Sequence, residues 1–108
     1  MFIITRGKGF AITLHNGYQL SVQFGMGNYC HNQNRYEEDV YVNRSISFST
    51  ADTLCGKAGC ESAEIAIIGP DGNFCGQQLG LFEHDDVEGW VSPSRVVEIL
   101  TILEGLEP

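Results

Sequence analysis

The chain has 108 residues, 43% of them hydrophobic, and six Lys or Arg stand against 14 Asp or Glu for a formal net charge of −8. That size and balance fit one globular domain spanning residues 1–108, and they exclude a disordered chain or a polybasic surface for bulk nucleic acid. No apolar run nears the roughly 20 residues needed to cross a bilayer, and MFIITRGKGF carries its charge after its short apolar run, so no secretory leader or membrane association is expected. A reducing cytoplasmic setting follows as the expectation, with the four cysteines as thiols or ligands. The charge is unevenly placed. Residues 1–36 hold Arg6, Lys8 and Arg35 but no acid, so the remaining chain carries every carboxylate. Such asymmetry marks either a local anion site or a chance split in strand-rich sequence.

In chain order, FAITLHNGYQLSVQF (10–24) predicts a β-hairpin. Phe10, Ile12 and Leu14 alternate on one strand, and Tyr18, Leu20, Val22 and Phe24 on the next. Asn16-Gly17 suggests a two-residue turn, but that register would split the apolar residues between two faces. A three-residue loop, His15-Asn16-Gly17, pairs Leu14 with Tyr18, Ile12 with Leu20 and Phe10 with Val22, and needs Gly17 left-handed. GMGNYCHNQNR (25–35) reads as irregular. DVYVNRSISFS (39–49) reads as one bent strand or two short ones, and TADTLCGKAGCES (50–62) as a loop with a short helical turn. AEIAII (63–68) is a strand and GPDGN (69–73) a turn, with FCGQQLGLF (74–82) as a candidate hairpin partner.

The C-terminal helix is marked at both ends. Ser92 suits the N-cap, Pro93 the first helical position and Gly105 the stop. Val96, Ile99, Leu100 and Leu103 form one apolar stripe. The expected architecture is therefore α+β: a mostly antiparallel β-sheet with one C-terminal α-helix packed on it.

Four features bear on chemistry. At the helix start, unpaired backbone amides and a positive dipole end make an anion site, to which Ser92, Ser94 and Arg95 add donors and Trp90 a stacking face. The plainer reading has Ser92 capping, Trp90 filling the core and Arg95 pairing with Glu98. In GMGNYC, Gly25 and Gly27 allow close backbone approach to a phosphate, with Asn28 and Tyr29 placed to bond and stack on a base; the plainer reading is a bulge or turn. A zinc site could draw on Cys30, Cys55, Cys60 and Cys75, with His31 and His84 nearby in type, but the spacing lacks a CxxC pair, and buried thiols or a disulfide answer it equally. EHDDVE (83–88) reads as a cation site or a solvated edge or turn. No nucleophile, metalloprotease or phosphate-loop motif is present, so neither an enzyme nor a cofactor is expected.

NGYQLSVQFGMGNYC (16–30), AEIAIIGPDGNF (63–74) and DVEGWVSPSRVVEIL (86–100) together resemble segments of small tailed-phage proteins, over roughly 40% of the chain. The pattern is also similar to viral nucleotide sponges that counter Thoeris and CBASS-type immunity. That resemblance implies a non-catalytic protein in the cytoplasm of an infected bacterium. It would sequester a cyclic ADP-ribose derivative or a cyclic oligonucleotide, as a homo-oligomer, with aromatic and arginine side chains on base and phosphate. Arg44, Phe82, Trp90 and Arg95 match by residue type alone, and the low arginine content departs from the pattern. Two other expectations stand beside it: an acidic or structural phage protein that engages a basic host protein through residues from 83 onward, and a small zinc-stabilised domain.

Overall fold

The computed structural model describes residues 1–5, 9–24, 28–30 and 61–108. The strand read at 39–49 and the loop at 50–60 lie outside these residues. Five strands form one sheet in the order β1 (Phe2–Thr5), β2 (Gly9–Thr13), β3 (Gln19–Gln23), β4 (Ala63–Ile68) and β5 (Val87–Val91). Each neighbouring pair is antiparallel, and among the described residues one helix, α1 (Pro93–Glu104), follows the sheet. The α+β expectation is met.

The β2–β3 hairpin adopts the register that keeps the apolar residues on one face. Phe10 stands opposite Val22 and Ile12 opposite Leu20, and the loop closes through Leu14 N–H to Tyr18 O at 2.8 Å and Gly17 N–H to Leu14 O at 3.0 Å. Gly17 has φ +89, a left-handed value that a side chain would oppose. The same rows continue into β4, where Val22 faces Ile65 and Leu20 faces Ile67. Leu20, Ile65 and Ile67 are buried there with Ile99 and Leu103 of α1, while Val96 and Leu100 pack at the border. Each such fully buried aliphatic side chain contributes about 1.5–3 kcal/mol.

Asn16 has a second duty that its turn position hides. It is buried, and its Nδ2 donates to the carbonyls of Leu103 at 2.7 Å and Leu106 at 2.8 Å, while its Oδ1 accepts from Tyr18 N–H at 3.2 Å. These carbonyls lie at the C-terminal end of α1, where intrahelical donors run out. Gly105 ends the helix as expected but keeps right-handed φ −88, so the left-handed glycine cap is replaced by a side chain from the hairpin. His15 Nε2 lies 3.0 Å from Glu104 Oε1 at the same junction; both are exposed, so the pair contributes under about 1 kcal/mol.

Three elements differ from the reading of the sequence. β1 was not expected: its four residues are all exposed, so no half-buried alternation marks it. Residues 74–82 do not form the expected hairpin partner. They make one bridge, Phe74 to Ile68, and then coil into turns in which Leu79 N–H bonds Cys75 O and Phe82 N–H bonds Gly76 O. The reason is the fit of Phe82 onto Gly76, where an added Cβ would lie 2.2 Å from the ring. β4 instead pairs with β5, which residues 85–91 concealed because a bulge breaks the alternation. Val91 stands opposite Ala63 and Glu88 opposite Ile65, so Gly89 and Trp90 together face Glu64. This extra residue flips the parity and turns Val91 into the core, although Val87 stands opposite Ala66 on the other face.

Candidate functional site

The bulge builds an exposed aromatic pair. Trp90 has φ +53, a rare conformation for a bulky residue that costs about 1–3 kcal/mol. Its N–H donates to Tyr29 O at 2.8 Å, and Tyr29 N–H in turn donates to Glu64 Oε2 at 2.6 Å. The two rings sit 5.5 Å apart at 33°, and both remain more than half exposed. Asn28, beside them in sequence, donates from Nδ2 to Phe24 O at 2.7 Å and so pins the start of the segment to the end of β3. Gly89 is required by this contact, since a Cβ there would lie 2.5 Å from Tyr29 Cβ. Strain of this kind persists only where surroundings enforce it, and it is concentrated at functional positions.

The two segments singled out in the sequence therefore meet, through Tyr29 and Trp90. Trp90 does not fill the core. Gly25, Gly27 and Arg44 lie outside the described residues. The helix start carries the plainer chemistry: Ser92 Oγ accepts from Arg95 N–H at 3.2 Å, and the Arg95 guanidinium bonds Glu98 Oε1 and, at 3.2 Å, Leu81 O. Arg95 is thus committed to stapling the first turn of α1 to the preceding loop. Ser94 is exposed. Phe82 is 4% exposed and belongs to the core, so it offers no face for stacking. The cleft beside the helix start, about 280 Å³, is apolar, with Phe10, Phe24, Val91, Pro93, Val96 and Val97 on its walls.

Charge around the pair is negative. Glu64 is in contact with Tyr29 N–H, and Glu88 is on the same strand as Trp90. Arg95 is the one Lys or Arg among the described residues. Of residues 83–88, Glu83 to Asp85 are exposed in a bend, Asp86 Oδ1 accepts from Gln77 N–H at 3.3 Å, and Val87 and Glu88 open the edge strand β5. Cys55 and Cys60 of the zinc set lie outside the described residues. Among the described residues, no group of three His, Cys, Asp or Glu is placed to hold a metal. Cys30 and Cys75 are both buried. Burial pushes the Cys75 thiol up, and the nearby Asp71 and Asp86 add to it. The folded chain thus holds that proton where the unfolded thiol, with pKa about 8.5, releases it. Peptide-resolved alkylation at neutral pH is expected to label Cys75 slowly until the chain is denatured, and native stability should decline as pH rises past the unfolded value.

Reading the sequence missed Glu64 and Gly89. Glu64 is the lone acid in an apolar strand, which signals a partner on the back face; the need for Gly89 depends on Tyr29 arriving from a distant segment. Gly89→Ala is expected to push Tyr29 off the bulge. Trp90 is the chain's one tryptophan, so its emission should shift to the red as the ring loses its neighbour. An unchanged spectrum would show that the Gly89–Tyr29 contact is not tight.

No known protein family, curated protein or solved structure matches the chain. Among the described residues no helix is long and apolar enough to cross a membrane.

Proposed function

We propose that this chain is a non-catalytic binding protein that sequesters a small nucleotide, with the base stacked on the Tyr29–Trp90 pair. The observation that carries the reading is the exposed Trp90 ring, held out on a left-handed backbone by Tyr29 and Glu64. An aromatic face kept in that way serves a flat partner, and stacking of one base is worth about 1–3 kcal/mol. The resemblance to viral sponges supports a cyclic ADP-ribose derivative or cyclic oligonucleotide as the ligand class. The paired state of Arg95 moves the phosphate contact elsewhere in this reading. Arg6, Lys8, Arg35, Arg44 and Lys57 are the basic residues left to supply it.

The test is a titration of the purified protein with a panel of cyclic nucleotides, followed through Trp90 emission and by calorimetry. Saturable quenching with intact ligand recovered afterwards is the expected result. Absence of binding tighter than about millimolar across the panel overturns it.

The acid excess around the bulge favours a second reading, a surface for a basic partner protein. Aromatic faces beside carboxylates suit Lys and Arg side chains. This reading expects capture of a basic host protein that weakens steeply with salt. Retained capture after neutralising Glu83, Asp85, Asp86 and Glu88 removes that surface from consideration.

A further inference from the structure

The sheet has two edges, and they are treated differently. At β5 the bulge bends the strand, and the Trp90 N–H is taken by Tyr29 O. At β1 no described strand pairs with the outer edge, and the strand has no proline, charge or bulge to discourage pairing. Its side chains are apolar and open to solvent: Phe2 is 72% exposed and Ile4 82%.

The hydrogen-bond phase of β1 can be read. Met1 and Thr13 exchange both bonds, Thr13 N–H to Met1 O at 2.8 Å and the Met1 amine to Thr13 O at 2.9 Å. Antiparallel pairs alternate between bonded and non-bonded, so Ile3 and Thr5 also bond inward to Ala11 and Gly9. The N–H and C=O groups of Phe2 and Ile4 therefore point outward.

We infer that β1 is a homodimerisation edge, on which two copies pair antiparallel about a two-fold axis at Ile3. In that register Phe2 of each copy meets Ile4 of the other as a bonded pair, and the outward groups form four main-chain hydrogen bonds. The sheet becomes continuous through both copies. Phe2 and Ile4 stand opposite Ile12 and Phe10, so all lie on the face that carries the core rows, and the apolar side chains of both copies cluster there. Two observations favour a second copy as the occupant. Residues 1–36 carry no carboxylate, so in a chain of net charge −8 the strands β1 and β2 bring no acid of their own to the seam. Complete burial of the exposed surface of Met1 to Ile4 in both copies would remove on the order of 1,000 Å², the lower bound for a specific interface.

The experiment is light scattering at sub-millimolar concentration with hydrogen exchange on the same sample. The wild type is expected at twice the 11.9 kDa chain mass, with slow exchange at the Phe2 and Ile4 amides. Ile4→Pro removes one outward N–H without touching a bond to β2, and Phe2→Lys places charge at the seam; each should halve the mass with helix content unchanged. A monomeric wild type overturns the inference. So does a dimer in which the Phe2 and Ile4 amides exchange as fast as in an unfolded peptide, whatever the variants do.

Discussion

Asn16→Asp should destabilise the fold by about 3–5 kcal/mol at neutral pH, a large part of the 5–15 kcal/mol that holds a domain of this size together. The change replaces an amide N–H2 by an oxygen of the same size. In the native chain that nitrogen lies within 2.8 Å of two carbonyl oxygens, Leu103 O and Leu106 O, in a buried position. One carboxylate oxygen would keep the Tyr18 N–H, but the other would face both carbonyls with no donor between them. Asn16→Ala should cost less, about 1–3 kcal/mol, because it takes the side-chain donor from Leu106 O, leaves Leu103 O with Leu106 N–H alone, and adds no charge. The two variants part with pH. The introduced carboxyl would have its folded pKa raised above the unfolded value of about 3.9, so the added penalty is absent below that value and grows as pH rises through it. Urea unfolding across a pH series gives the comparison. If both variants melt with the wild type, Asn16 does not hold the end of α1.

The second large effect falls on Trp90. Trp90→Ala should weaken nucleotide binding about 5–150-fold, the range of one lost base stack. Trp90→Gly should weaken it as much but leave the protein about 1 kcal/mol more stable than the alanine variant. Glycine within a strand normally costs about that amount relative to alanine. The order reverses here because φ at this position is +53, where any Cβ is opposed. The stability order tests the strain, and the binding loss tests the stacking. An alanine variant more stable than the glycine one would show that Trp90 relaxes out of the left-handed region in solution.

Where a pattern depended on near neighbours, the residues themselves were enough. The hairpin register followed from one demand, that Phe10, Ile12, Leu20 and Val22 share a face, and the observed pairs and Gly17 meet it. The strand at 63–68 and the helix from Pro93 were equally readable, because alternation, an N-cap and a four-residue stripe are local signals. The failures share a cause as well. β1 pairs along an exposed edge and so lacks a buried face to imprint its period. β5 contains a bulge, which shifts the parity midway and erases the pattern.

The candidate site divides the same way. Tyr29 and Trp90 were visible as aromatic residues in glycine-rich or turn-like surroundings, and Arg95 as a charge at a helix start. The residue types could not say that Tyr29 and Trp90 would stack, that Phe82 would be consumed by the core, or that Arg95 would be spent on Glu98 and Leu81. The hairpin, its loop and the amphipathic helix follow from residue order alone, because steric and periodic rules act within a few residues. That Asn16 closes a helix nearly ninety positions away, and that Glu64, Gly89 and Tyr29 hold Trp90 out of the core, emerges only in the folded chain. Those outcomes depend on hydrogen bonds and close contacts between distant segments, which arise when the sheet brings the segments together.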